Sequence, residues 1–208
     1  MIKHAFAAAL LGFSAPLFAQ TAPVAAPPAS VPQEDLVPIA IETSLGRIVI
    51  ALDRAHAPVT TANFLKYVDT HRLDGQAFYR SMRATDGSPV LIQGGITTDA
   101  RKMLPPIKHE PTSETGLKNV AGAISMANAG AGTARSDFFI LLADQPGFDA
   151  NAPGGDATGF AAFGKVIEGL DVVKKISEAP VSATKGEGVM KGQMLDPTVK
   201  IVKAIRLK

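Results

Sequence analysis

Val120 to Leu142 read VAGAISMANAGAGTARSDFFILL. Two short apolar runs, Val120–Met126 and Asp137–Leu142, stand on either side of a segment of small residues. Each run has the length of a strand and is too short for a buried helix. Side chains alternate along a strand, so Phe138 and Ile140 point to one side and Phe139 to the other. If the first pair faces a core, Phe139 faces away from it.

Runs of the same kind recur in both directions. Ala77–Arg80 and Val90–Gln93 lie upstream and Phe160–Ile167 downstream. Ile39 and Ile41, then Ile48, Ile50 and Leu52, alternate around Leu45-Gly46 as an opening hairpin. The closing run, TVKIVKAIRLK, puts Val199, Ile201, Ile205 and Leu207 on one side, with Lys203 as the exception. Only two segments carry a helical period. One follows Pro58 and aligns Phe64, Leu65 and Val68; the other, Gly169–Ser177, aligns Leu170, Val173 and Ile176. Ala143 to Gly159, rich in Gly, Pro, Asp and Ala, reads as a long loop. Many short strands with two helices predict a mainly β fold, a closed antiparallel eight-stranded barrel with two capping helices, over residues 39–208.

The N-terminal residues belong to something else. MIKHAFAAALLGFSAPLFAQ has a basic start at Lys3 and His4, an apolar run from Ala5 to Phe13, and the small Ala19 before Gln20, which predicts a secretory signal peptide over 1–19. Ser14 and Pro16 interrupt the apolar run short of the ~20 residues that span a bilayer. Five of the eighteen residues from Thr21 to Pro38 are Pro, so 20–38 reads as an extended Pro/Ala linker. These features predict a periplasmic protein with no stable membrane insertion after the signal is removed.

Composition narrows the chemistry. The chain has 208 residues, 46% of them hydrophobic, and a net charge of +2, with Lys and Arg scattered along it, which argues against a nucleic-acid partner. With no cysteine it has neither disulfides nor thiol chemistry. Gly159 to Lys165 has phosphate-loop spacing, but Val166 stands where the Mg²⁺-binding hydroxyl would be. His4, His56, His71 and His109 form no HExxH, and no GxSxG marks a nucleophile elbow. Any enzyme here is expected to work without nucleophile, metal or cofactor.

Five segments in order, Phe78-Tyr79-Arg80, Leu91-Ile92-Gln93-Gly94-Gly95, Ser125-Met126-Ala127-Asn128-Ala129-Gly130, Ser136-Asp137-Phe138-Phe139-Ile140 and Phe163-Gly164-Lys165-Val166, resemble the cyclophilins. The family pattern reads F-H-R, M-x-Q-G-G, S-M-A-N-A-G, S-Q-F-F-I and F-G-K-V. The resemblance implies a cyclophilin-like barrel and peptidyl-prolyl cis/trans isomerase activity on X-Pro segments of unfolded or exposed polypeptides, by a monomer. Such chemistry suits the residues present, because rotation about the amide faces a barrier of ~18–20 kcal/mol and breaks no bond. The enzyme has only to bind the twisted amide best. By the resemblance, Arg80 is the catalytic residue that donates to the prolyl nitrogen. Gln93 and Asn128 hold the substrate backbone, Phe139 floors the proline pocket, and Tyr79, Leu91, Ala127, Phe148 and Phe160 complete the substrate-binding set.

Departures from the pattern concern the groove. Tyr79 replaces the usual His, Asp137 the usual Gln, and Val90-Leu91 a Phe-Met pair. Phe148 lies near the family's Trp/Phe-Leu-Asp segment, and insertions fall at Ser81–Ser88 and Ala150–Thr158, where they are expected to border the groove. These changes leave open a second reading, a Pro-peptide binding module or holdase chaperone with little turnover.

Overall fold

The computed structural model describes residues 35–97 and 99–208. The expected signal peptide and most of the linker lie outside the described residues. The strands are β1 (Leu36–Thr43), β2 (Gly46–Asp53), β3 (Ala77–Arg83), β4 (Pro89–Gly95), β5 (Ala123–Met126), β6 (Phe138–Leu141), β7 (Ala162–Glu168), β8 (Val181–Ser182) and β9 (Met194–Arg206). The helices are α1 (Pro58–Asp69), α2 (Thr112–Thr115) and α3 (Leu170–Glu178). Eight strands close a ring in the order β1-β2-β7-β5-β6-β4-β3-β9, with β9 returning to β1 and every pair antiparallel. The short β8 pairs with β9 beside that ring.

The expected barrel and both expected helices are present, and the differences are local. β1 starts at Leu36 rather than Ile39, because Leu36, Val37 and Pro38 already pair with Asp53, Leu52 and Ala51. Val120 to Gly122 form a turn rather than the start of β5; Gly122 sits at φ +83° and Val120 is exposed. β8 and the one-turn α2 are too short to imprint a period. On β9 the alternation breaks where Lys203 had looked exceptional. Glu42 pairs with Lys203 and Thr43 with Ile201, so Val202 is an extra, exposed residue. This bulge moves the inward face from Val199 and Ile201 to Ala204, leaving Ile205 and Leu207 half-buried.

Aromatic side chains fill the interior. Phe64 on α1 meets Phe138 edge-to-face with centroids 5.2 Å apart and touches Phe163 at 5.3 Å; Phe78 meets Phe138 at 5.7 Å. All four are fully buried among the inward Ile and Leu residues of β1, β2 and β4. Helix α3 adds Val172, Val173 and Ile176 to the same core and packs against β2, β3 and β4.

Helix α1 begins at Pro58, whose missing N–H suits a first position, but the preceding Ala57 has no side-chain oxygen to cap the helix. Glu110, distant in sequence and buried, takes that place. It accepts from the Val59 N–H (2.9 Å), the Thr60 N–H (2.8 Å) and the Thr60 hydroxyl (2.7 Å). A carboxylate there also meets the positive end of the helix dipole. Glu110→Ala strands these donors and is expected to lower the unfolding free energy by about 2–3 kcal/mol in urea titrations, with Glu110→Gln losing less.

Candidate functional site

Strand register places the expected residues in one row. Arg80 pairs with Gln93 between β3 and β4, Gln93 with Phe139 between β4 and β6, and Phe139 with Ser125 between β6 and β5. Directly paired residues share a face, so Arg80, Gln93 and Phe139 all point outward. Phe138 and Ile140 belong to the main core, while Phe139 packs in a separate outer cluster with Leu91, Ala123 and Leu141. Both neighbours of β3 shift register between Phe78 and Arg80. That bulge interrupts the simple alternation, so Phe78 is buried inside while Tyr79 and Arg80 both join the outer hydrogen-bond network.

Glycines make room on each side of the row. A Cβ on Gly94 would lie 2.9 Å from the Phe78 ring, and one on Gly95 would lie 2.2 Å from Asp137 Oδ1. The Gly94-Gly95 pair therefore admits a phenyl ring inside the barrel and a carboxylate outside it.

The polar end of the row is a chain of hydrogen bonds. Arg80 Nη1 donates to Gln93 Oε1 (2.8 Å), Gln93 Nε2 donates to the Tyr79 hydroxyl (2.7 Å), and that hydroxyl donates to Asp137 Oδ1 (3.3 Å). Arg80 Nε donates to Gln193 Oε1 (2.8 Å), while Nη2 rests against Met82 Sδ at 3.6 Å. Gln193 is fixed in turn, its Nε2 donating to the Val189 carbonyl and its own carbonyl accepting from Ser81 N. Burial lowers the pKa of the Arg80 guanidinium from its ordinary value, though a guanidinium remains charged. Burial, followed by the Asp137 charge, pushes the Tyr79 phenol up. Burial also pushes Asp137 up to about 6, against the opposing effect of the Tyr79 hydrogen bond.

The apolar end is aromatic. Phe139, Phe148 and Phe160 meet edge-on in a triangle with centroids 5.9, 5.3 and 5.0 Å apart, and Leu91, Ala127 and Met82 complete the cluster. Phe148 and Phe160 come from the two ends of the long loop. Phe160 N donates to the Phe148 carbonyl, and the buried Asn119 clamps both segments. Asn119 Nδ2 donates to the Phe148, Phe160 and Asp149 oxygens, its Oδ1 accepts from Ser125 Oγ, and its backbone N–H donates to Asp149. Asn128 stands at the edge of the cluster. Its Oδ1 accepts from Gly130 N, and its Nδ2 makes a long 3.4 Å contact with the Gly159 carbonyl.

Every expected site residue thus lies along this row or its rim. The two insertions behave differently from one another. Residues 81–83 extend β3, with Met82 lining the aromatic cluster while Ser81 and Arg83 donate to the Ser177 carbonyl on α3. The second insertion forms the loop that carries Phe148 and Phe160. Asn119, Gln193 and Met82 were missed, because no spacing rule connects Gln193 to Arg80 across 113 residues.

Asp137 carries a stability cost whose sign follows from its raised value. Between its ordinary 3.8 and about 6 the unfolded chain ionises first, so stability falls as pH rises through that window. The full cost, roughly 1–2 kcal/mol after allowing for residual solvent access, applies above the folded value. Asp137→Asn is expected to raise the melting temperature at pH 7.5 and to lose that advantage below pH ~4, which thermal melts across pH will check.

The fold has known counterparts. The family model described as cyclophilin type peptidyl-prolyl cis-trans isomerase/CLD matches residues 38–205. Peptidyl-prolyl cis-trans isomerase A of Dickeya dadantii is 37% identical over 144 residues, covering 67% of this chain and 70% of that protein. A peptidyl-prolyl cis-trans isomerase of Acinetobacter baylyi is 37% identical over 148 residues, covering 69% and 73%. A crystal structure of a Cryptosporidium parvum cyclophilin type peptidyl-prolyl cis-trans isomerase shares the fold at a TM-score of 0.66 with 20% identity, covering 83% of this chain and 98% of that one. The same protein in the presence of the dipeptide Ala-Pro aligns at a TM-score of 0.64 with 20% identity, covering 82% and 99%. With the barrel order and nearly the whole described domain matched, the chain belongs to the cyclophilin-type peptidyl-prolyl cis-trans isomerase family.

Proposed function

We propose that the outer row catalyses cis/trans isomerisation of X-Pro bonds in exported polypeptides, assisting their folding, with Arg80 as the catalytic residue. The observation that carries this reading is the way Arg80 is held. Its Nε and Nη1 are each fixed by a 2.8 Å bond to a glutamine oxygen, and Nη2 is aimed at Met82, a residue packed on the aromatic cluster. A guanidinium has five N–H donors, so hydrogens on both Nη atoms remain for a substrate. A proline ring seated against Phe139, Phe148 and Phe160 brings its nitrogen toward those hydrogens. Donation to the prolyl nitrogen draws its lone pair out of amide conjugation and favours the twisted state over either planar one. Gln93 and Asn128 hold the backbone on one side of the bond while the other side turns.

No proton leaves the substrate and no covalent bond forms, so the whole effect rests on a charge-assisted donor placed before the substrate arrives. Arg80→Ala is expected to lower kcat/KM by ~10²–10³ on a short Xaa-Pro peptide, with kcat falling in parallel. Arg80→Lys, which lacks the planar fork, stays impaired. Circular dichroism checks that each variant is folded. A rise in KM with unchanged kcat would instead make Arg80 a ground-state anchor, and a parent protein that binds the peptide with little turnover would favour a Pro-peptide binding module or holdase.

The site of action we propose is the periplasm, reached through the N-terminal signal peptide. The support is the sequence of residues 1–19 with its basic start, apolar run and Ala19. The intact mass of protein recovered from the periplasm is expected to match a chain beginning at Gln20; a mass retaining Met1 to Ala19 would overturn this route.

A further inference from the structure

Gln93 presents two different ends, and only one orientation of its amide serves Arg80. The Oε1 must face the guanidinium, which has donors and no acceptor, so Nε2 must face the other way. At that other end stands the Tyr79 hydroxyl, 2.7 Å from Nε2. A hydroxyl both donates and accepts, so by itself it imposes no direction. Direction comes from Asp137. Its carboxylate accepts only, so the Tyr79 proton turns toward Oδ1 and the phenolic lone pairs are left for Gln93.

We propose that Tyr79 and Asp137 are a coupled pair of positioning residues, which set the amide direction of Gln93 and through it the aim of Arg80 in the isomerase reaction. The inference rests on Arg80 being the catalytic donor. Several features besides the distances support it. Gln93 is buried, so an amide turned the wrong way would set Nε2 against the guanidinium with no water to mend the contact. Gly95 leaves the space that the Asp137 carboxylate occupies. Tyr79 and Asp137 also touch each other directly, although 58 residues separate them in sequence.

Below about pH 6 a protonated Asp137 both donates and accepts, and the direction of the chain is no longer imposed. Other ionisable groups flank it. Tyr79 and Arg80 lie on β3, and Tyr67 on α1 senses Arg135, Arg72 and Asp137. β4 brings Gln93 and the two glycines, and the Asp137 carbonyl accepts from Ala127 N beyond β5. Lys185, in the pocket beside Tyr79, is paired with Asp196 at 2.9 Å.

The test uses NMR exchange spectroscopy on an Xaa-Pro peptide, which needs no coupling protease and works from pH 5 to 8. Tyr79→Phe is expected to lower kcat about five- to tenfold, as for loss of one buried hydrogen bond, with KM within twofold. The parent is expected to lose activity as pH falls through 6, and Asp137→Asn to show no such inflection. Adding Tyr79→Phe to Arg80→Ala is expected to cost nothing further, because the pair acts through Arg80. In ¹⁵N-labelled protein the Arg80 Nε–H and the Gln93 side-chain amide are expected to exchange faster with solvent in folded Tyr79→Phe than in the parent. Parent-like kcat and unchanged exchange in Tyr79→Phe would overturn the proposal while leaving the Arg80 reading intact. An inactive Tyr79→Phe with parent-like Arg80 and Gln93 exchange would overturn it as well. Full activity in Arg80→Ala would remove the catalytic reading on which it stands.

Discussion

A sheet that closes on itself has one interior, and what fills that interior decides what is left to face out. Phe64, Phe78, Phe138 and Phe163 meet inside this barrel, with centroids 5.2 to 5.7 Å apart for the contacts that join them. Placing Phe138 inside puts Phe139 outside. Placing Phe78 inside, with a bulge just after it, turns Tyr79 and Arg80 outward. The row proposed as catalytic is the outer side of the same strands whose inner side is the core. Packing energy therefore holds Arg80, Gln93 and Phe139 in register, and substrate binding does not have to assemble them.

Such a row has opposite requirements at its two ends. The aromatic end is apolar, and Asn119 holds two of its three rings, Phe148 and Phe160, by their backbone carbonyls. The polar end carries the charge that the proposed mechanism uses, and its order comes from donors and acceptors that permit one arrangement. Asp137 joins the two concerns. Its burial costs stability and raises its pKa to about 6, and the same burial sharpens its influence on Tyr79. Sites that hold costly groups in this way commonly draw on the stability of the rest of the fold.

Much of this was legible in the amino-acid order, for definite reasons. Alternation alone separated Phe139 from Phe138 and Ile140, since a period of two is robust within a short central strand. The hairpin at Leu45-Gly46 and both longer helices carried strong local signals. Bulges defeated the same rule, because one additional residue inverts the faces beyond it. On β9 Val202 sends Ile205 and Leu207 away from the expected side, and on β3 Tyr79 and Arg80 share a face that strict alternation would divide. The candidate residues were found through resemblance in short motifs, whereas their supports were not. Asn119 and Gln193 act from loops, and nothing in their neighbouring residues marks the distant partners they hold.

The long loop between Phe148 and Phe160 has a stem and a tip with separate duties. Its stem is closed by the Phe160–Phe148 and Asn151–Ala157 backbone bonds, and by Gly159, where a Cβ would strike the backbone of Phe148 and Ala150. Its tip, residues 152–156, is folded by its own turn, with Gly155 N bonded to the Ala152 carbonyl. The tip is not wholly free of the stem, because a Cβ on Gly155 would strike the backbone carbonyl of Gly147, next to Phe148. A change at residues 152–154 or 156 can thus be absorbed within the tip, whereas one at Gly155 or Gly159 is passed to the backbone that carries the Phe148 and Phe160 rings.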